Sequence, residues 1–281
     1  MIKIAYLGIP GSYSYLAVRN FLGKTKFTMK NKSTFEDVFL SVKSNEADYA
    51  AVPLENSLTG SIIECYDFLL KTNIKIVGEI ILKINHHLVA NIKFKRKNFH
   101  DKKFSLTCLT QQEVLKQCRC FFMKNKHISP ILINDTANAA KTVSESIKVD
   151  EVAISSKEAA KIYNLQILSK NIADFDINFT RFVILAKHQL KSGNKVSLMF
   201  SVKHIPGSLV QAIGSYAKFG LNLMKIESRP ISGKPWEYIF YLDFDITNKS
   251  RRLESVIKDM KKNTEFIKIL GIYQKGEIYE T

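Results

Sequence analysis

Five consecutive residues, Asn178-Phe179-Thr180-Arg181-Phe182, place a hydroxyl beside a guanidinium at the start of an apolar run. The forked donors of Arg match a planar carboxylate, while the plain alternative is a surface strand entry. Glu55-Asn56-Ser57 follows the apolar run Ala50-Ala51-Val52 and precedes Gly60. Polar side chains at a strand end, just before a helix, lie where open α/β sheets take ligands. Asn and Ser also serve as ordinary helix caps, but the added Glu exceeds what a cap needs. Gly8-Ile9-Pro10-Gly11-Ser12-Tyr13-Ser14 joins a strand to a helix start, where free N–H groups and hydroxyls suit an anion. His86 and His87 are adjacent and point opposite ways in a strand, which argues against a two-His metal site. One of the two is expected to pack in the interior or to sit near a ligand. Cys118 and Cys120 lie two apart on an expected helix, where side chains diverge, so neither a metal nor a disulfide is expected there. No Ser-His-Asp order, Walker loop or dinucleotide fingerprint is present.

These residues need elements to hold them. Ile2, Ile4 and Tyr6 alternate with Lys3 and Ala5 as in a short strand. A helix is expected from about Ser14 to Phe21, and a second opens at the capping-box pair Ser33 and Glu36. Ala50–Val52 reads as a strand, and Gly60 to Leu70 as a third helix. Ile74 to Val89 reads as strands, Val114 to Phe122 and Thr136 to Ile147 as helices. Ser155 and Glu158 open a helix to Tyr163, and a strand runs from Arg181 to Leu185. Strands alternating with helices indicate an α/β architecture. The polar stretch 187–195 reads as a linker. Beyond it come a strand (Val196 to Val202), a helix (Ser208 to Phe219) and two strands (Leu221 to Glu227, Tyr238 to Phe244). A helix (Arg251 to Lys261) and a strand (Phe266 to Tyr273) complete a βαββαβ order, which is ferredoxin-like.

The chain has 281 residues, 46% of them hydrophobic, enough for packed cores and against global disorder. No apolar stretch reaches the roughly 18 residues of a membrane-crossing helix, and the N-terminus runs straight into a strand without signal-peptide features. Four scattered cysteines fit a reduced, cytoplasmic protein. Lys and Arg exceed Asp and Glu by 42 to 26, yet only seven of the basic residues are Arg. Abundant Lys, Ile and Asn match A/T-rich codons rather than a polyanion partner. The densest basic run, Lys93 to Lys103, has no stacking platform beside it and reads as a solvated loop. Neither nucleic acid nor membrane is expected as a partner.

Taken together, the motifs resemble those of the monofunctional prephenate dehydratases with a C-terminal ACT regulatory domain, from Ile4 to about Tyr273. The resemblance rests on Asn178–Phe182, on Glu55-Asn56-Ser57 with Gly60, and on Ile84-Asn85-His86 followed by Leu88. It rests also on Glu227-Ser228-Arg229-Pro230 with Pro235-Trp236-Glu237 after it. The chain departs from the family pattern at Ile9, at Thr110-Gln111-Gln112-Glu113, at Asp135 and at Ser208.

The resemblance implies a catalytic domain over 1–186, two-lobed like a type II periplasmic binding protein. Lobe one would take about 1–76 plus 170–186 and lobe two about 77–169, followed by the linker 187–195 and an ACT domain over 196–275. It implies conversion of prephenate to phenylpyruvate with release of CO2 and water, with no cofactor and no metal. Thr180 is then the catalytic hydroxyl and Arg181 clamps a substrate carboxylate. Asn56, Ser57, Gly11, Ser12, Asn178, Phe182 and His86 are the further substrate contacts. Glu55 is a second candidate for the proton donor, because a carboxyl near a dianion has its pKa raised. L-Phenylalanine is the implied effector, held by Gly207, Ser208, Leu209, Val210, Glu227, Ser228, Arg229 and Pro230 in a homodimer or tetramer. Arogenate, the aminated substrate, and a non-enzymatic amino-acid sensor remain the alternatives.

Overall fold

A computed structural model describes residues 1–23, 25–190, 192–231, 233–247 and 252–281. Lys191 of the expected linker and Arg251, the expected start of the last helix, lie outside the described residues. The first elements are β1 (Ile2–Leu7), α1 (Tyr13–Leu22), β2 (Phe27–Lys32), α2 (Phe35–Lys43), β3 (Tyr49–Asn56), β4 (Gly60–Ser61) and α3 (Ile63–Lys71). Then follow β5 (Lys75–Lys83), β6 (His87–Asn91), α4 (Arg96–His100), β7 (Leu106–Thr110), α5 (Gln112–Gln117) and α6 (Arg119–Lys124). β8 (Ile128–Leu132), α7 (Thr136–Glu145), β9 (Glu151–Ser155), α8 (Lys157–Ile162), β10 (Leu165–Ser169) and β11 (Phe179–Ala186) complete this part.

Two α/β sheets share one plan. The first runs β16-β5-β11-β3-β1-β2, with β4 on β3 and β16 (Ile278–Tyr279) from the chain's end. The second runs β10-β6-β9-β7-β8. In each, three strands lie in the order second, first, third (β2-β1-β3 and β8-β7-β9), parallel throughout. The strand beside the third comes from elsewhere in the chain: β11 returns to the first sheet, and β6 enters the second antiparallel to β9. This is the two-lobed type II binding-protein arrangement. Helices cover both faces, so Ile4, Ala5, Ala50, Ala51 and Val52 are fully buried.

Local chemistry decided several boundaries differently from the sequence reading. Thr34 rather than Ser33 caps α2, accepting from Asp37 N, and Ser156 rather than Ser155 caps α8, accepting from Ala159 N. Both sites offer two consecutive hydroxyl residues, and backbone geometry chooses between them. The expected helix Val114–Phe122 breaks at Cys118 (φ −120°, ψ 30°) into α5 and α6. The Lys93–Lys103 run holds the short helix α4, with its cations exposed. β2 went unread because it is a lysine-bearing edge strand with β1 as its one neighbour in the sheet.

The remaining elements are β12 (Lys195–Ser201), α9 (Ser208–Lys218), β13 (Asn222–Ile231), β14 (Lys234–Asp245), α10 (Leu253–Met260) and β15 (Phe266–Tyr273). Their sheet order, β13-β14-β12-β15, is antiparallel throughout, and with two helices it makes the expected ferredoxin-like βαββαβ fold. Val196, Leu198 and Phe200, spaced by two along β12, join Ala212, Tyr216, Val256 and Met260 in its core.

The chain packs as two compact units. One contains Met1–Cys65, Ile80–Phe182 and Glu277–Thr281; the other contains Tyr66–Glu79 and Val183–Gly276. Within the second, Lys268 Nζ donates to the carbonyls of Leu69 and Leu70 at 2.9 Å, and to that of Thr72, closing the C-terminal end of α3. Tyr66 packs edge-on against Tyr241, ring centres 4.4 Å apart.

Candidate active site

In the first unit, a cavity of about 360 Å³ opens between the two α/β sheets. Its walls come from the carboxyl ends of parallel strands in both sheets. Leu7 and Gly8 follow from β1, Ser33 from β2, Pro53 and Asn56 from β3, Gln111 from β7, and Asn134 from β8. Thr180 and Phe182 enter from β11. Two ten-residue helices begin at the wall: α1, capped by Ser12, and α7, capped by Asp135. Their N-terminal N–H groups and dipoles put partial positive charge on the cavity from both sheets. Among the described residues no Lys or Arg lines it, and Asp135 carries the one formal side-chain charge on its wall. Leu7, Pro53, Ile62 and Phe182 supply apolar wall for a ring.

Gly11 shows why the first turn is glycine-rich. Its φ is +90°, and a Cβ there would lie 2.9 Å from Ala159 Cα. That close approach lets Ser156 Oγ donate to Gly11 O (3.1 Å) and Tyr163 OH to Pro10 O (2.8 Å), tying the turn to the second sheet's α8 region.

Thr180 is held on the wall by Asn56. Asn56 Nδ2 donates to Thr180 Oγ1 at 3.0 Å and to Asn178 Oδ1 at 2.8 Å. Asn56 Oδ1 accepts from the backbone N–H groups of Leu58 and Thr59, each at 3.0 Å, so its amide cannot turn over without loss. Ser57 is spent on structure: its N donates to Phe179 O (2.8 Å), and its Oγ accepts from Phe179 N (2.9 Å). These bonds bring the two strongest motifs of the sequence together as one unit.

Other expected contacts fall elsewhere. Thr180 and Phe182 face the cavity, so alternation along β11 turns Arg181 to the opposite face. There Arg181 Nη1 lies 3.7 Å from Glu55 Oε2, and neither residue is among those lining the cavity. His86 also stands off the wall. It precedes β6 and is 2% exposed, and its Nε2 lies 2.8 Å from Gln117 Oε1. Burial pushes its pKa down to about 4, against a smaller opposing effect of the Gln117 bond. His87 accepts from Asn171 N at 3.1 Å, and burial also lowers its pKa, helped by Lys157 and Lys170. Burial raises the Tyr13 hydroxyl pKa while it donates to Asn85 O at 2.8 Å. Among the described residues no group of three His, Cys, Asp or Glu is placed to hold a metal ion.

Sequence reasoning missed Ser33, Gln111, Asn134 and Thr136 as wall residues, and Gln117 as the partner of Asn178 and His86. The signal was partly there: Gln111 and Asp135 lie within the departures from the family pattern. Reading β2, β7 and β8 as strands would have put Ser33, Gln111 and Asn134 at strand ends.

The second unit has a hollow of about 420 Å³, lined by residues 202–210 with Trp236, Glu237, Tyr238 and Phe240. Gly207, Ser208, Leu209 and Val210 are on its wall. Gly207 adopts φ +83° at the start of α9, and Ser208 Oγ donates to Ile205 O at 2.9 Å. Glu227, Ser228, Arg229 and Pro230 lie on β13 instead, where Glu227 pairs with Lys225 (3.1 Å) and Arg229 with Asp67 (3.3 Å).

Residues 4–190 match the family described as prephenate dehydratase. A bifunctional chorismate mutase/prephenate dehydratase of Aquifex aeolicus is 36% identical over 285 residues, covering 99% of this chain and 75% of that protein. Arogenate dehydratase/prephenate dehydratase 1 of Arabidopsis thaliana is 35% identical over 291 residues, covering 97% and 72%. Among solved structures, a prephenate dehydratase from Arthrobacter aurescens in complex with L-Phe matches with a TM-score of 0.85 at 23% identity, covering 97% and 90%. That likeness shows a shared fold. GqqA, described as a quorum-quenching acylase, matches with a TM-score of 0.84 at 28% identity, covering 96% and 97%.

Proposed function

The chain belongs to the prephenate dehydratase family, and we propose that its cavity converts prephenate to phenylpyruvate, CO2 and water. The observation that carries the reading is Thr180. Its oxygen accepts from Asn56, which leaves its own proton free to donate from the cavity wall. In the reaction the ring carboxylate leaves as CO2. Its bonding electrons aromatise the ring, and the ring hydroxyl departs from the opposite carbon, taking up one proton to become water. Hydroxide is a poor leaving group, so a donor at the breaking bond lowers the barrier. Thr180 supplies that hydrogen bond. The N-terminal N–H groups of α1, and those of α7 that the Asp135 cap leaves free, hold the carboxylates. Phe182 packs on the ring.

The Glu55–Arg181 pair supports β11 from the other face. Glu55→Gln is therefore expected to lower kcat by less than about tenfold. A greater loss at unchanged KM would move the proton-donor role to Glu55. The functional test is phenylpyruvate formation from prephenate, with arogenate as the parallel substrate. Turnover of neither by folded protein would overturn the reading and favour a sensor. The Arabidopsis relative is named for both substrates, so the ratio of kcat/KM decides between them.

The ferredoxin-like fold is proposed to be an ACT domain, joined through the linker at 187–195, that takes L-phenylalanine in its hollow as a feedback inhibitor. A homodimer or tetramer is the proposed assembly, and the four free cysteines support a cytoplasmic setting. Trp236 is the chain's single Trp and lines that hollow. Its fluorescence should therefore change as L-phenylalanine is added. Gly207→Asp brings a side chain and a charge to a left-handed position on the wall. It should abolish both the fluorescence change and inhibition while uninhibited kcat stays within about twofold. Inhibition that persists would place the effector site elsewhere.

A further inference from the structure

We propose that His86 is a positioning residue for the Thr180 hydroxyl, acting through Gln117, Asn178 and Asn56; the proposal rests on the reading of Thr180 as leaving-group donor. Four side-chain hydrogen bonds join them, drawn from segments 31, 61, 122 and 124 residues apart.

The direction of the chain follows from counting donors and acceptors. Gln117 Oε1 accepts from Asn178 Nδ2 at 3.1 Å and lies 2.8 Å from His86 Nε2. A carbonyl oxygen cannot donate, so His86 must carry its proton on Nε2. With its NH2 turned to Gln117, Asn178 presents Oδ1 to Asn56, which donates at 2.8 Å. The second hydrogen of the same Asn56 nitrogen is shared between Thr180 Oγ1 at 3.0 Å and Phe179 O at 3.2 Å. The Thr180 oxygen is thus an acceptor within the protein, and its proton is directed away from Asn56.

One end of this chain is pinned by backbone, through the N–H groups of Leu58 and Thr59 on Asn56. The other end is pinned only by which nitrogen of His86 holds the proton. Among the described residues, His86 Nδ1 is buried without a hydrogen-bond partner. A proton there would be an unmet buried donor, which costs more than an unused lone pair on that atom. It would also set two acceptors, Nε2 and Gln117 Oε1, against each other. Gln117 could answer by turning its amide, but its NH2 would then face that of Asn178. Burial keeps the ring neutral down to about pH 4, so the Nε2–H form holds through the working range. His86 thereby acts two side chains behind the wall, not as the substrate contact that the resemblance implied.

The test combines a spectroscopic and a kinetic measurement on the full chain. In 15N-histidine spectra at pH 7, His86 should show a protonated Nε2 and a bare Nδ1. The reverse tautomer overturns the proposal whether or not the enzyme turns over. Prephenate turnover by the wild type, or its absence, speaks separately to the function. His86→Leu should lower kcat about tenfold or more with KM within about threefold. His86→Gln, which offers an N–H to Gln117, should recover most of the loss. Adding Gln117→Met to His86→Leu should cost little more, because both cut one chain. A raised KM at unchanged kcat, or additive losses in the double variant, would refute it. If His86→Leu does not fold, the His86→Gln and Gln117→Met variants carry the same kinetic comparison.

Discussion

Thr180→Val should lower kcat by about 10²–10³ while KM for prephenate stays within about threefold, the scale of losing one aligned donor at a developing negative charge. Valine keeps the volume and the β-branch, so β11 should hold its place and Phe182 its packing. What disappears is the proton on the wall and the oxygen that Asn56 bonds at 3.0 Å. Asn56 still has Asn178 Oδ1 and Phe179 O to donate to, so no buried donor is orphaned and Tm should move little. Single-turnover phenylpyruvate formation with saturating prephenate is the decisive measurement. A Thr180→Val enzyme that retains more than about a third of kcat would show that the leaving hydroxyl is assisted by another group. A Thr180→Ser variant should keep most of the activity, since the donor remains and only the methyl is lost.

The second large effect concerns stability. Lys195 Nζ contacts both oxygens of Glu79 at 3.0 and 2.8 Å, in the interior of the second unit, where the Glu79 side chain is fully buried. Asp243 lies 3.9 Å from the same nitrogen and bonds Ser197, which also pairs with Tyr273 OH at 2.6 Å. Lys195→Met removes the cation from between two buried carboxylates. It should destabilise the protein by about 3–5 kcal/mol, the cost of breaking a buried pair from one side. The double variant Lys195→Met/Glu79→Leu should regain a large part of that loss, because only one carboxylate then stays behind. Urea titration followed by far-ultraviolet circular dichroism measures both. A loss below about 1 kcal/mol in the single variant would mean that water reaches the cluster.

The starts of α2 and α8 to within one residue, the alternation of β1, the βαββαβ order and the residues of the two strongest motifs are properties of local sequence. They were legible because a cap, a strand face or a turn needs only neighbours within a few positions. The period of two along β11 separates a pair that the sequence reading takes together: adjacent Thr180 and Arg181 cannot both face one cavity. Their placement as joint substrate contacts came from the resemblance, not from that spacing.

Tertiary structure alone decided the rest. Which of Ser33 or Thr34 caps α2 depended on how β2, an edge strand without a strong apolar signal, delivers the chain to the cavity. Asp135 and Gln111 became wall residues because the order β8-β7-β9 brings the ends of two separate strands side by side. The Glu55–Arg181 pair and the chain from His86 to Thr180 join residues 31 to 126 positions apart. No spacing rule reaches that far. Local chemistry settles what each segment can form, whereas only the crossing of segments between two sheets settles which side chains meet.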